Sequence, residues 1–134
     1  MEDSCVFCKI AEGDIPAYKV YEDQKVLAFL DANPVSKGHT LVVPKKHVEN
    51  IHESVGMDYM WDAIVKVSNA VKTAFKPGGI NIEQNNGELA GQEVFHLHFH
   101  ITPRYDGSEI DLNYERSELE DGGKISDSIK SELT

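Results

Sequence analysis

The chain has 134 residues, 40% of them hydrophobic and 27% charged, the make-up of one globular domain that buries roughly two thirds of its unfolded surface. Its 23 acidic and 13 basic side chains leave a formal charge of -10, which argues against a nucleic-acid backbone as partner, because that binding relies on Lys and Arg displacing counterions. The opening "MEDSCVFCKI" lacks a basic segment followed by roughly 7 to 15 apolar residues, and no stretch approaches the roughly 20 apolar residues of a membrane span, so a cytosolic protein with no membrane partner is expected.

In chain order, "DSCVFCKIAEGDIP" predicts a short helix that Ser4 caps, Gly13 ends and Pro16 keeps from resuming. "AYKVYED" and "KVLAFLD" read as a hairpin turned at Asp23 and Gln24. The loop "DANPVSKGH" leads to a buried strand, "HTLVVP", closed by Pro44. Between Met57 and Phe75 the positions Met57, Trp61, Ile64, Ser68, Val71 and Phe75 recur at three and four residues, the spacing of one long helix with those residues inward. Pro77, Gly78 and Gly79 end it. "GINIEQNNG" and "EVFHLHFHIT" supply two more strands around a Gly- and Asn-rich loop. The expectation is an α+β domain over 1–105, with about five antiparallel strands, one long helix and one short one. Residues 106–134 hold nine acids against three bases and read as a partly ordered acidic tail, in which Ile125, Ile129 and Leu133 suit one face of a last short helix.

The pattern that carries chemistry is "HLHFHIT". Side chains alternate across a strand, so His96, His98 and His100 share a face with Val94 and Thr102 while Phe95, Leu97, Phe99 and Ile101 face the core. Residues two apart are spaced about 7 Å, so three rings in a row cannot all hold one metal at about 2 Å. The triad therefore divides its labour, unless the three are merely solvated residues on a polar sheet face. A neutral imidazole attacks with one nitrogen and donates with the other, and a charged one holds an anion. Phosphoryl transfer uses all three abilities and needs no divalent metal.

Cys5 and Cys8 lie in a Cys-x-x-Cys pair at the chain's start. Three readings stand: a redox pair, two inert helix residues, or half of a zinc site. The redox reading is the poorest fit, since such pairs open a helix after a strand. Taken alone, Asp31 and Asn33 are ordinary turn residues, and "NNGELAGQ" is a loop without phosphate-loop spacing.

"HLHFHIT" resembles the signature of the histidine triad (HIT) nucleotide hydrolases and transferases, and "CVFCKIAEGDIPAYKVYED", "VLAFLDANPVSKGHTLVVPKKH" and "NNGELAGQEVFHLHFHITPRY" look like that family in the same order. The likeness runs from Cys5 to Tyr105 and is greatest to the bacterial-type branch of the Hint subgroup. It implies the HIT fold. It also implies His98 as the nucleophile that takes up a nucleoside monophosphate, His100 on the same phosphate, and His39 in support. Asp31 would hold the ribose hydroxyls, and Phe7, Ile10, Ile15, Phe29 and Ala32 would line a base pocket. Asn85, Gly91, Gln92 and Glu93 would serve the phosphate and leaving group. Related cysteine-bearing proteins imply a structural zinc on Cys5, Cys8, His47 and His96. One departure is Glu93, where many members carry Ser or Thr. The implied activity is hydrolysis of purine nucleoside phosphoramidates or related conjugates, by a homodimer. The rival readings are a dinucleoside polyphosphate hydrolase, a nucleotide-binding regulator without turnover, and a zinc-bound interaction module.

Overall fold

The computed structural model describes residues 4–106 and 115–133. Helix α1 runs over Val6–Glu12, and its N-cap is Cys5 rather than the expected Ser4: the Cys8 amide donates to the Cys5 sulfur at 3.3 Å. Placing a sulfur where a hydroxyl was expected puts both cysteines of the pair on one turn. Gly13, left-handed at φ 87°, ends the helix as predicted. Strands β1 (Lys19–Glu22) and β2 (Val26–Leu30) form the hairpin. Its turn is held by Asp23, whose Oδ1 accepts the amides of Lys25 and Val26, both at 2.7 Å.

Strand β3 (Thr40–Pro44), helix α2 (Tyr59–Phe75), β4 (Gly79–Glu83) and β5 (Phe99–Arg104) complete the domain. The strands pair antiparallel in the order β1-β2-β3-β5-β4. This is the expected α+β architecture of five antiparallel strands with one long and one short helix. The short tail helix forms as α3 (Gly122–Lys130) and carries Ile125 and Ile129 as anticipated, but both stay exposed. Of the acidic tail, residues 107–114 and 134 lie outside the described residues. No described helix is long and apolar enough to cross a membrane.

Strands β2 and β3 are buried on both faces. Val26, Ala28 and Val42 pack with Leu97 and Ile101 against α2, whereas Leu27, Phe29, Leu41 and Val43 pack against Phe7, Cys8 and Ile10 of α1. The buried face of α2 is Met60, Ala63, Ile64, Val67 and Val71, one step round from the expected phase. Trp61 is 70% exposed and Phe75 is at the edge. Two apolar stripes share this helix, and periodicity alone does not say which one meets the sheet.

The triad strand is also shorter than expected. Its ladder begins at Phe99, because the amide of Leu97 donates instead to Val48 O at 2.8 Å, outside the sheet. Phe95, expected inward, is 42% exposed. The alternation of faces survives nonetheless: Leu97, Phe99 and Ile101 meet the α2 layer, and His96 and His98 meet Phe7 of the α1 layer.

The corrected phase of α2 has a measurable consequence. Met60→Ala, on the observed face only, should cost about 2–5 kcal/mol in urea unfolding, while Trp61→Ala should stay within about 0.5 kcal/mol for the isolated chain. The reverse ranking would restore the phase that periodicity suggested.

Candidate active site and metal centre

Four donors converge where α1 meets the segment before β5. The Cys5 sulfur lies 3.2 Å from His96 Nδ1, the Cys8 sulfur lies 3.4 Å from His47 Nδ1 and 3.5 Å from His96 Nδ1, and the two Nδ1 atoms are 3.1 Å apart. Donors about 2.0–2.3 Å from a tetrahedral zinc sit about 3.3–3.8 Å from one another; the separations here are at or slightly under that range, and all four atoms lie within 4.8 Å of one another, a grouping that could hold such an ion. The protonation pattern agrees. His96 Nε2 is 2.8 Å from Pro44 O and must carry the hydrogen, because a carbonyl only accepts. Its Nδ1 therefore turns a lone pair toward the sulfurs. Burial, above all, pushes the pKa of His96 down to about 4, so the ring is neutral and able to ligate.

Asp31, His39 and His100 form a second cluster with metal-ligand spacing, but the tautomers speak against a metal there. The Val35 amide donates to His39 Nδ1 at 3.1 Å, which takes up that nitrogen's lone pair. A neutral His39 then bears its hydrogen on Nε2, the atom that would have to bind the metal. That Nε2–H instead donates to His100 Nδ1 at 2.9 Å, and His100 in turn keeps its hydrogen on Nε2. The result is a directed chain, from the Val35 amide through His39 to His100, that ends in an N–H donor.

His98 is fixed the opposite way round. Its Nδ1 is 2.8 Å from His96 O, so Nδ1 holds the hydrogen and Nε2 the lone pair. Its ring centroid lies 5.0 Å from that of His100 and 5.1 Å from that of Phe7. An imidazole lone pair and an imidazole N–H thus sit side by side, the pairing needed to attack phosphorus while holding one of its oxygens. Burial is the main cause lowering the pKa of His39, His98 and His100 alike; the Asp31 carboxylate opposes it at all three and Glu93 at the two triad rings.

The other expected site residues are dispersed around this centre. Asp31 follows β2; its Oδ1 accepts the Asn33 amide at 2.8 Å, and its Oδ2 is 3.6 Å from His39 Nε2. Phe7, Ile10 and Phe29 are buried together, Ile15 packs against them, and Ala32 is exposed on the loop after Asp31. Gly91, left-handed at φ 95°, closes the 3-10 turn Glu88–Ala90, with the Asn85 amide group against it. Gln92 differs from expectation. It is 3% exposed, its NH2 donates to Glu49 O and Val94 O, and its carbonyl oxygen accepts the Gly87 amide. Its side chain is spent on shaping the loop and has no hydrogen left for a phosphate. Glu93 is exposed. The contributions of the Val35 amide and the Pro44 and His96 carbonyls were missed from sequence because backbone groups leave no residue signature.

The larger described cleft, about 640 Å³, opens over Cys5 and His47 rather than over His98. The chemistry of the triad, not cleft size, locates the candidate active centre.

The chain belongs to the HIT domain family, whose pattern matches residues 12–107. It is 54% identical over 106 residues to Protein hit of Bacillus subtilis, covering 77% of this chain and 72% of that one. It is 48% identical over 101 residues to an adenosine 5'-monophosphoramidase of Schizosaccharomyces pombe, covering 75% and 74%. A crystal structure of a HIT family member from Bacillus subtilis superposes with a TM-score of 0.88 at 45% identity, covering 98% of this chain and 99% of that one. A zinc-bound histidine triad family protein of Mycobacterium smegmatis does so with a TM-score of 0.70 at 35% identity, covering 85% and 84%.

The buried imidazoles predict a pH dependence. His39 and His100 hold fewer protons folded than unfolded below the ordinary value of 6.5, so their contribution to stability is full above that value and is lost as pH falls from it through the lowered values of the folded state. Urea midpoints should decline on acidification below about 6.5. His39→Asn with His100→Asn should make that decline shallower, and an unchanged slope would contradict the assignment.

Proposed function

We propose that the protein hydrolyses purine nucleoside phosphoramidates or related nucleotide conjugates through a nucleotidyl-His98 intermediate. The observation that carries this reading is the hydrogen bond from His98 Nδ1 to His96 O, which reserves Nε2 for attack. In the first step Nε2 bonds to phosphorus and the bond from phosphorus to the leaving amine breaks, the amine taking up a proton from solvent water as it departs. The imidazole becomes positively charged as the bond forms, and its Nδ1–H to a carbonyl strengthens with that charge. The His100 N–H, polarised through His39, steadies a phosphate oxygen. Water then displaces the nucleoside monophosphate from His98.

The remaining roles follow the same placement. Asp31 keeps one oxygen for ribose hydroxyls beside the layer of Phe7, Ile10, Ile15 and Phe29, with Ala32 at its rim. Asn85 and Gly91 border the phosphate, Gln92 shapes their loop, and Glu93 acts at the leaving-group side. Zinc on Cys5, Cys8, His47 and His96 is structural: it would fix the strand that presents His98 and supply no catalytic step. The name of the S. pombe relative supports the choice of an amine leaving group, and the zinc-bound relative supports the metal.

The decisive assay is AMP titration followed by turnover of adenosine phosphoramidate. His98→Asn should keep AMP affinity within about tenfold, or about 1.4 kcal/mol, and cut turnover at least about a thousandfold, about 4 kcal/mol in the barrier. Quenched-flow mass spectrometry should find the adduct on His98. An adduct elsewhere, or near-normal turnover in the variant, would refute the assignment. Binding of AMP with no turnover in the unaltered protein would favour the regulator.

Elemental analysis of protein purified without chelator should give one zinc per chain. Cys5→Ser with Cys8→Ser should abolish it and lower stability while some turnover survives. We also propose a homodimer, since β4 is an open sheet edge that carries the exposed Ile82. Light scattering at micromolar concentration should report twice the chain mass, and a monomer would exclude it.

A further inference from the structure

The four donors of the metal centre are not equally enclosed. Cys8 and His96 are 0% exposed and Cys5 is 8% exposed, whereas His47 is only partly buried. The about 640 Å³ cleft beside the centre touches the two outer ligands, Cys5 and His47, and neither of the inner ones. The two histidines also differ in how they are held. His96 is anchored at its far nitrogen by Pro44 O, while Nε2 of His47 has no hydrogen-bond partner among the described residues. His47 can therefore swing without breaking a second bond, and His96 cannot. Three carboxylates, Glu49, Glu53 and Glu93, line the same cleft, where they draw cations toward the centre and repel anions.

We infer that the metal is exchangeable through this cleft, with His47 the ligand that opens and the three glutamates setting which molecules approach. The inference rests on the reading of Cys5, Cys8, His47 and His96 as a zinc site. It adds that the zinc, though structural, is reachable by small chelators while the fold stays intact. The alternative is release only when α1 lifts away and exposes the inner ligands, which makes the rate independent of what collects the metal.

The test uses the zinc-loaded full chain and two chelators, neutral 1,10-phenanthroline and anionic EDTA, with zinc removal followed by absorbance or a zinc indicator. Removal should rise in proportion to the concentration of either chelator, and phenanthroline should act faster than EDTA. The triple variant Glu49→Gln, Glu53→Gln, Glu93→Gln should speed removal by EDTA severalfold, up to about tenfold, and leave phenanthroline unchanged. Gln at 53 can still accept the Glu49 amide that Glu53 holds at 2.7 Å, so the cleft keeps its shape. A rate independent of chelator concentration and equal for both reagents would overturn the inference while leaving the zinc site standing. Absence of zinc from the unaltered protein would overturn both.

Discussion

His96 carries two hydrogen bonds that point in opposite senses, and the rest of the site is arranged around them. Its ring donates to the Pro44 carbonyl and so turns Nδ1 toward two sulfurs and a second imidazole. Its own carbonyl accepts from His98 and so turns the lone pair of that ring the other way. A neutral imidazole has one hydrogen and one lone pair, so fixing either end decides the other. One residue thereby fixes the ring polarity of two triad histidines, its own through its side chain and that of His98 through its backbone carbonyl.

The partner His100 receives its polarity from a separate source, the Val35 amide acting through His39. The loop that supplies this amide turns back through Gly38, where φ is +93° and a side chain would meet Phe75 at 2.9 Å. The His98 Nε2 lone pair and the His100 N–H thus arrive on neighbouring rings from two independent backbone contacts, one in the triad segment and one in the loop after β2. Burial lowers the pKa of His98 and His100 alike, which keeps both rings neutral and the arrangement intact near neutral pH.

Much of this was legible in the sequence because side chains carry it. The alternation of His96, His98 and His100 placed three rings on one side, Asp23 marked the first hairpin, and half of a zinc site was one of three readings of the Cys-x-x-Cys pair. What failed to show was either ambiguous or backbone. Trp61 and Phe75 mimic a core stripe on α2, while Met60, Ala63 and Val67 make the real one. The triad strand looked two turns of alternation longer than its ladder, because Val48 diverts the Leu97 amide. Gln92 read as a phosphate donor, yet its three hydrogen-bonding groups hold the loop. The carbonyls and amides that fix the tautomers of His39, His96 and His98 belong to Val35, Pro44 and His96, positions whose side-chain identity says nothing of what their backbone faces.

The central claim is the set of tautomers, and long-range nitrogen–proton NMR of histidine-labelled protein near neutral pH observes it directly. His98 should appear with its hydrogen on Nδ1, and His39, His96 and His100 with theirs on Nε2. His98 found with its hydrogen on Nε2 would leave that nitrogen without the lone pair the account gives it and would contradict the account.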